Sequence, residues 1–309
     1  MHVLILSQIC EKAVSRLEEK YHAVRAIGMA RAQLLEIVSD YDVLVFRSGV
    51  AIDRELLERA KTLKLIVRAG SGMDNLDVGY AEQNNIIIKR IPEPAASAVA
   101  EMAFGLMLCL ARKILIADKA FRQGAWIKND IEGRLLMGKV LGVVGVGSIG
   151  SSVGQLGRAM GMRVVGCVEN PNQERAESLG RLGIELLSLA DVITQADSLC
   201  LHVPLKESTR NLIDRSVLSS MKEGSFLVDL SRGGVVDEQA LFEALTSGGG
   251  LAGAAIDVHQ SEGPGFTSPF LSLPNVILTP HIGSQTIDTQ VEIGKRVVEL
   301  IDELSGGKC

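Results

Sequence analysis

An arginine, a glutamate and a histidine in the second half of the chain each follow a short apolar run. Arg232 lies in SRGG, Glu262 in QSEGP and His281 in TPHIG. A histidine exchanges protons near neutral pH, a carboxylate can orient its ring, and a guanidinium holds a carboxylate through two parallel hydrogen bonds. This set suits the reduction of a carbonyl beside a carboxylate, which needs a hydride at carbon and a proton at oxygen.

Each of these residues also has an ordinary alternative role. His281 could be a structural loop histidine, Arg232 could form an ion pair, and Glu262 could be a solvated loop acid. His259 is a second imidazole nearby, but it lacks the PHIG context. The order of the three residues at successive strand ends, where parallel sheets bind ligands, favours the chemical interpretation.

The segment LGVVGVGSIG carries the strongest local motif. Gly145, Gly147 and Gly150 form GxGxxG after an apolar strand. In dinucleotide-binding loops these glycines allow a tight turn, backbone approach to a pyrophosphate, and close packing of helix on strand. We therefore expect a dinucleotide site; the alternatives are a packing turn and a methyltransferase-type nucleotide site. The following helix is predicted to bury Ile149, Val153, Leu156 and Met160.

An acid at the end of the next strand would bind the adenosine ribose. Glu169 lies 24 residues after Gly145, close to the usual spacing. A carboxylate there accepts ribose hydrogen bonds and repels a 2′-phosphate, and no arginine occupies positions 168–172. This favours NAD over NADP, unless Glu169 is only a solvated loop residue.

Alternating short apolar runs and helical patterns must position these residues. Such alternation predicts parallel sheets covered by helices, in two series and therefore two α/β domains. The first series has strands at 3–7, 43–46, 63–67 and 86–89, with a helix at 54–61. The second has strands at 140–144, 163–168, 198–202, 225–230, 252–258 and 276–278.

The prolines of IPEP break the pattern between the two series. A long helix is predicted from Ala95 or Ala96 to about Arg112. Residues 113–137 carry another helix and Trp126, and we interpret them as an arm or interface segment. The last helix, at 284–304, is predicted to bury Val297, Ile301 and Leu304.

Composition excludes several classes of protein. The chain has 309 residues, 47% hydrophobic and 22% charged, with a net charge of −5, so about two globular domains are expected. It has no run of Lys and Arg, so nucleic acid is not expected as a partner. No signal peptide is recognised, and the 18 uncharged residues 140–157 include six glycines, so no membrane anchor is expected. The scattered cysteines match no zinc site and indicate reduced thiols, no bound metal and a cytoplasmic protein; they are Cys10, Cys109, Cys167, Cys200 and Cys309.

Several ordered motifs together identify a known family. The chain resembles the D-2-hydroxyacid dehydrogenases, and most closely their phosphoglycerate dehydrogenase-like branch, over essentially its whole length. The motifs are RAGSGMDN at 68–75, VAE at 99–101, GVGSIG at 145–150, LHVP at 201–204, SRGG at 231–234, IDV at 256–258 and PHIG at 280–283.

The resemblance implies a discontinuous architecture. Residues 1–95 and 284–309 would form a flavodoxin-like substrate-binding domain, and residues 96–283 a Rossmann domain that binds NAD. Both would be doubly wound parallel sheets with a cleft between them. The family forms homodimers through an arm like residues 113–137, and its substrates are small 2-hydroxy or 2-keto acids. Because the chain ends at Cys309, a short form without the regulatory domain of longer relatives is expected.

The resemblance also assigns individual residues. Arg232, Glu262 and His281 match the catalytic residues, of which Arg232 and His281 also touch substrate and cofactor. Backbone at Ser71 and Gly72 would bind the substrate carboxylate, and Asp257 would contact the nicotinamide carboxamide. The remaining cofactor contacts would come from Ser148, Ile149, His202, Val203, Pro204, Leu230, Ser231, Gly283 and Ser284.

Two departures from the family pattern bear on ligand choice. Counted without gaps, the ribose-binding aspartate of the family falls on Val168 rather than Glu169, so NADP stays open beside NAD. The hinge reads Arg90-Ile-Pro92 where the family has Asn-Thr-Pro. We hypothesise that Arg90 binds a second anionic group of the substrate, with Arg47 and Arg68 as other candidates; the alternative is a surface arginine.

Two other functions fit the same family. Some members are corepressors that use NAD(H) as a conformational ligand without turnover, but they carry long disordered tails that this compact chain does not suggest. An inactive homologue would be expected to lack part of the Arg232, Glu262 and His281 set.

Overall fold

The structure is a computed structural model that describes residues 1–47, 49–70, 72–248, 250–263 and 265–306, without the side chain of Glu93. The chain divides into two compact units. Unit 1 comprises Met1–Ala95 and Ser284–Cys309, and unit 2 comprises Ala96–Gly283.

The strands are short and mostly apolar. They are β1 (His2–Ile5), β2 (His22–Arg25), β3 (Val43–Phe46), β4 (Leu65–Arg68), β5 (Ile87–Arg90), β6 (Val140–Val144), β7 (Arg163–Cys167), β8 (Ile184–Leu186), β9 (Ser198–Leu201), β10 (Phe226–Asp229), β11 (Gly253–Ile256) and β12 (Val276–Leu278).

The helices fill the connections between strands. They are α1 (Glu11–Lys20), α2 (Arg31–Ile37), α3 (Arg54–Arg59), α4 (Val78–Gln83), α5 (Glu93–Ala111), α6 (Ile114–Arg122), α7 (Ser148–Ala159), α8 (Gln173–Arg181), α9 (Leu189–Gln195), α10 (Arg215–Ser220), α11 (Glu238–Thr246) and α12 (Ile287–Gly306), with single 3₁₀ turns at Val38–Asp40 and Glu207–Thr209.

Unit 1 contains a five-stranded sheet in the order β2-β1-β3-β4-β5. All pairs are parallel, with Val3 opposite Val43 and Val45 opposite Val67. The central strands β3 and β4 are buried along their whole length, because helices cover both faces of such a sheet. α12 contributes Val297 and Ile301 to one of the two cores. This strand order is that of flavodoxin-like folds.

Unit 2 contains a seven-stranded parallel sheet in the order β12-β11-β10-β9-β6-β7-β8. The order reverses between β6 and β9, which pair with Val144 opposite Leu201. Ligands of doubly wound sheets bind at the carboxyl ends of the strands where the order reverses. The predicted fold class, two doubly wound parallel α/β sheets, is therefore confirmed.

Polar caps fix where many helices begin. In each case a side-chain oxygen accepts a hydrogen bond from a backbone N–H three residues later, which satisfies a donor that the first helical turn leaves unpaired. The capping residues are Asp53, Asp77, Asn172, Ser188, Asp214 and Asp237.

The long helix α5 begins at Glu93 rather than at Ala95 or Ala96. The prediction treated Pro94 as a break, but proline is compatible with the first turn of a helix, where its missing N–H is not needed. By length and composition Pro94–Ala111 could cross a membrane, yet 61% of that window is buried inside the protein. Ala100, Ala103 and Met107 lie in the core of unit 2, so α5 packs as a core helix.

Three other local predictions were wrong. The edge strands β2 and β8 were missed because they are short and polar residues flank or interrupt their apolar ones. Met160 lies beyond the end of α7 and is 38% exposed, although Val153 is fully buried as predicted. The last helix begins at Ile287 rather than 284.

Glycines allow α7 to lie close to the sheet. A Cβ atom on Gly150 would stand 2.4 Å from the carbonyl oxygen of Gly145, and one on Gly157 would stand 2.6 Å from the Cδ2 atom of Leu141. Backbone oxygen cannot move aside as a flexible side chain can, so Gly150 is the more restrictive position.

We predict that Gly150→Ala lowers the free energy of unfolding by about 1–3 kcal/mol, as expected for overpacking. Gly180→Ala is the matched control, because Gly180 is also helical but a Cβ there meets nothing within 4 Å. The control should raise the stability by up to about 1 kcal/mol through helix propensity. Urea unfolding measures both, and equal effects of the two substitutions would contradict this packing.

Candidate active site

The glycine loop between β6 and α7 has room for a ligand only because side chains are absent. Gly145 has a φ of +92°, in the left-handed region that favours glycine. A Cβ atom there would lie 2.7 Å from Val203 Cγ1 and 2.8 Å from the carbonyl oxygen of His202. Gly147 is the N-cap of α7, so the free N–H groups of the helix start face the loop. These features fit the pyrophosphate of a dinucleotide.

A cleft of about 360 Å³ opens beside this loop. Six of the predicted cofactor residues line it: Gly145, Gly147, Glu169, His202, Val203 and Pro204. The wall also contains residues that the sequence did not point to: Val146, Asn170, Asn172, Arg175, Lys206 and Thr209. The carboxyl ends of β6, β7 and β9 thus meet around one cavity.

Glu169 faces a cation within this cleft. Its Oε2 atom lies 2.8 Å from Nζ of Lys206, and its Oε1 atom accepts a hydrogen bond of 3.4 Å from Ser208. The hydrogen bond and the charge of Lys206 lower the pKa of Glu169. Both oxygens of the Glu169 carboxylate therefore have partners within the protein. The predicted contact of this carboxylate with the ribose stays a prediction.

His202 is neutral and packed inward. Its Nε2 atom lies 3.0 Å from Sγ of Cys200, and burial lowers the pKa of His202 to about 3. Burial also raises the pKa of the Cys200 thiol, so neither side chain suits proton exchange at neutral pH. The backbone carbonyl of His202 lies beside the glycine loop, 2.8 Å from where a Cβ on Gly145 would stand.

Asp257 holds the loop that carries His281. Its Oδ1 atom accepts hydrogen bonds from Thr279 Oγ1 at 2.6 Å and Ile282 N at 2.9 Å, and its Oδ2 atom accepts one from Gly283 N at 2.9 Å. Asp257 is only 1% exposed. A carboxylate has about four acceptor positions, so one remains for the predicted contact with a nicotinamide carboxamide.

His281 and Glu262 form the hydrogen-bonded pair that the sequence predicted, and their acid–base role stays a prediction. Nδ1 of His281 lies 2.9 Å from Oε2 and 3.0 Å from Oε1 of Glu262. Burial raises the pKa of Glu262, but the hydrogen bond and charge of His281 lower it more, so the net shift is downward. The ionised carboxylate can only accept, so Nδ1 carries a proton and leaves Nε2 for a substrate. His281 has a φ of +53°, an uncommon conformation that occurs at functional sites.

His259 has a supporting role in the same loop. Its Nε2 atom lies 2.9 Å from the carbonyl oxygen of Thr279, and its backbone N–H donates to Glu262 at 3.2 Å. It is 7% exposed. The rival imidazole therefore ties the segment of Glu262 to the segment of His281.

The segment with Arg232 is anchored by a buried acid. Oδ1 of Asp229 accepts hydrogen bonds from the backbone N–H of Ser231 at 2.9 Å and from its hydroxyl at 2.5 Å. Burial raises the pKa of Asp229 to about 7. Arg232 is half-buried and donates to the carbonyl of Ser231 at 2.7 Å. The side chains of Leu230 and Ser231 point into the interior, so any contact with a nucleotide would use their backbone.

Two arginines predicted to bind the substrate, Arg47 and Arg90, lie at the carboxyl edge of the unit 1 sheet. Arg47 follows β3 and donates to Gln290 at 2.8 Å and to Ser284 at 3.4 Å. Burial lowers its pKa, but a guanidinium remains charged in proteins. Arg90 ends β5 and is exposed. Ser284, assigned to the cofactor, lies in unit 1 beside Arg47, and Ser71 lies outside the described residues.

Arg68 supports the neighbouring turn. It is 5% exposed, donates from Nε to the carbonyl of Gly72 at 2.7 Å, and lies over the ring of Phe46 at 5.4 Å. A Cβ on Gly70 would stand 2.7 Å from its Nη1 atom. Arg68 therefore shapes the turn that presents Gly72.

Sequence reasoning missed Arg175, Lys206 and Asp229. Arg175 is three residues after the cap of α8, a position that carries no local signal for a ligand. Lys206 is 37 positions from Glu169 along the chain, and only the fold brings them together.

Within the described ranges, no group of three or more His, Cys, Asp or Glu residues could hold a metal ion.

Comparison with known proteins decides the family. The model of the D-isomer specific 2-hydroxyacid dehydrogenase NAD binding domain matches residues 104–283. The chain belongs to this family. The predicted nicotinamide dinucleotide cofactor, NAD or NADP, is thereby confirmed, and the predicted domain bounds stay a prediction.

Relatives match over nearly the whole chain. A D-3-phosphoglycerate dehydrogenase of Methanocaldococcus jannaschii is 39% identical over 99% of this chain, which spans 58% of that relative. A hydroxypyruvate reductase of Thermotoga maritima is 38% identical over 88% of each chain. The crystal structure of a D-lactate dehydrogenase from Aquifex aeolicus, complexed with NAD and lactic acid, superposes with a TM-score of 0.88 at 26% identity, covering 99% of this chain and 96% of that one.

We predict that Glu262→Gln lowers kcat for 2-keto acid reduction. Glutamine keeps the size of Glu262 but removes its charge and offers Nδ1 of His281 only one acceptor oxygen, so kcat should fall about tenfold or more, as expected for loss of a charged hydrogen bond. The control Glu223→Gln alters an exposed acid of unit 2 and should leave kcat unchanged. An unchanged kcat for Glu262→Gln would contradict the pairing.

Proposed function

We propose that this protein is an NAD(P)-dependent dehydrogenase that interconverts a small D-2-hydroxy acid and its 2-keto acid. The observation that carries the proposal is the bond from Nδ1 of His281 to both oxygens of Glu262. This bond leaves Nε2 as a proton donor and acceptor, in a unit that also holds the glycine loop. The nicotinamide cofactor, when bound, supplies or accepts the hydride at C2.

His281 moves the proton that accompanies the hydride. In reduction, Nε2 of the imidazolium donates its proton to the carbonyl oxygen, and the ring becomes neutral. In oxidation, neutral Nε2 takes the hydroxyl proton. Glu262 stabilises the imidazolium in both directions, because an opposite charge in hydrogen-bond contact favours the charged form. Among the described residues Nε2 has no hydrogen-bond partner, so it is available for this transfer.

Arg232 supplies the charge that the substrate needs. Its guanidinium can hold the carboxylate or polarise the carbonyl through its forked donors. The hydrogen bonds from Ser231 to buried Asp229 hold the backbone just before Arg232 in place. The backbone at Gly72, presented by Arg68, is proposed to bind the substrate carboxylate as well.

A second anionic group on the substrate, such as the phosphate of 3-phosphoglycerate, would require a further cation. Arg47 is the better supported candidate, because it is half-buried and its hydrogen-bond partners among the described residues, Gln290 and Ser284, are neutral. Desolvated arginines are costly without an anion. Arg90 is exposed at the sheet edge and could approach the same group.

Residues 113–137 are proposed to form a homodimer interface. Their side chains present an apolar surface that isolated proteins rarely leave open. Trp126 is 77% exposed and packs near Phe121, with ring centroids 6.1 Å apart. Leu115, Leu135 and Met137 are also at least half exposed.

A cytoplasmic location is proposed from the cysteines. Among the described residues Cys10, Cys109, Cys167 and Cys200 are free thiols, and free thiols are typical of a reducing compartment.

An NADH- and NADPH-oxidation assay against 2-keto acids tests the reaction. Glyoxylate, pyruvate, hydroxypyruvate, 3-phosphohydroxypyruvate and 3-phosphonopyruvate make up the panel. At least one should be reduced to the D-hydroxy acid, and His281→Gln should lower kcat by about 10²–10⁴-fold. His22→Gln, which changes an exposed histidine of unit 1, should leave kcat unchanged. Full activity of His281→Gln would contradict the mechanism.

The charge of the substrate is tested with Arg47→Gln and Arg90→Gln. If Arg47 binds a second anionic group, Arg47→Gln should raise the KM of a dianionic substrate about tenfold or more and that of pyruvate less, as expected for loss of a charged hydrogen bond. Arg54→Gln is the surface control, because Arg54 is exposed on α3 and pairs there with Glu58. Unchanged KM values in both variants would exclude this role for either arginine.

A further inference from the structure

Two cations line the nucleotide cleft beside Glu169. Arg175 and Lys206 both belong to its wall, together with the glycine loop. In doubly wound nucleotide sites, an acid at this position binds the ribose 2′-hydroxyl, whereas a nearby arginine accommodates a 2′-phosphate. The charges around this position therefore decide which cofactor is accepted.

Arg175 is a half-buried guanidinium that points to the glycine loop. It donates from Nη2 to the carbonyl oxygen of Val146. In the part of the chain that the structure describes, it forms no ion pair with any carboxylate. Its backbone N–H is held by Asn172 at 2.8 Å, which fixes the start of α8 at the cleft. A guanidinium has five donors, so most of them remain for an anionic ligand.

Lys206 neutralises the carboxylate that would repel a phosphate. Its Nζ atom lies 2.8 Å from Oε2 of Glu169, in an exposed pair. Exposed pairs of this kind contribute little free energy, so Lys206 can exchange Glu169 for a stronger anion. β7 ends at Cys167, and half-buried Val168 follows it, so no acid occupies the first position after the strand. Two cations against one carboxylate leave a net positive charge.

We propose that this cleft accepts an adenosine 2′-phosphate, with Arg175 and Lys206 as its ligands, so that the protein binds NADP(H) as well as NAD(H). Lys206 turns from Glu169 to the phosphate, while Arg175 keeps its place beside the glycine loop. The inference rests on the proposed nucleotide site and adds its choice of cofactor. It departs from the preference for NAD over NADP that the position of Glu169 in the sequence suggested.

Equilibrium binding without turnover tests the inference. Isothermal titration calorimetry compares 5′-AMP with adenosine 2′,5′-bisphosphate, which differ only in the 2′-phosphate. The wild-type protein should bind the bisphosphate at least as tightly as AMP, and added KCl should weaken bisphosphate binding more than AMP binding. Arg175→Met should lower the affinity for the bisphosphate about tenfold or more and change the affinity for AMP less than about twofold.

Substitutions of the two members of the ion pair are expected to change the affinity for the bisphosphate in opposite directions. Lys206→Met should weaken the bisphosphate more than Arg175→Met does, because it also leaves the charge of Glu169 unpaired beside the phosphate. Glu169→Gln should strengthen bisphosphate binding. Arg163→Met and Lys222→Met are matched controls, because these cations pair with Glu185 and Asp197 elsewhere in unit 2, and they should change neither ligand.

Three results would overturn the inference. The wild type could bind AMP but bind the bisphosphate more than tenfold more weakly. Arg175→Met and Lys206→Met could weaken both ligands equally, or Glu169→Gln could weaken the bisphosphate. Binding of neither ligand by folded wild-type protein would instead contradict the nucleotide site itself, so the two failures are distinguishable.

Discussion

The hydrogen bonds that the carboxylate of Asp257 accepts are the interactions on which the site depends most. It accepts hydrogen bonds from Thr279, Ile282 and Gly283, and so holds both sides of His281. The left-handed backbone of His281 is uncommon for a residue with a side chain. The network around Asp257 maintains it and directs Nδ1 towards Glu262. A carboxyl group that is buried in this way is tolerated only where hydrogen-bond partners satisfy it.

Parallel pairing explains why residues distant in the sequence meet. All strands of unit 2 end at one edge of the sheet, so the loops after β6, β9, β10, β11 and β12 are neighbours. The glycine loop fits into this edge because Gly145 and Gly150 lack side chains. The same arrangement brings Lys206, after β9, to Glu169, after β7. The chemistry of the protein thus follows from where its strands stop.

The sequence predicted what its local patterns encode. Strands β3, β6 and β12, which are continuous apolar runs, were placed at their observed bounds. The pair of Glu262 with His281 was anticipated from residue type and order. The edge strands β2 and β8 were missed because polar residues flank or interrupt their few apolar residues, as HAVR and IEL show. The partner of Glu169 could not be predicted, because an ion pair across 37 positions depends on the fold and has no local pattern. Pro94 was misread because a proline that stops one helix can also start another.

The most direct test of this account concerns the proton on His281. ¹⁵N NMR of protein labelled at the imidazole nitrogens, assigned with His281→Gln, reports which ring nitrogen is protonated. The account predicts that the neutral ring carries its proton on Nδ1, where Glu262 accepts it, and leaves Nε2 unprotonated. A neutral His281 protonated on Nε2 would contradict the acid–base role proposed for this pair.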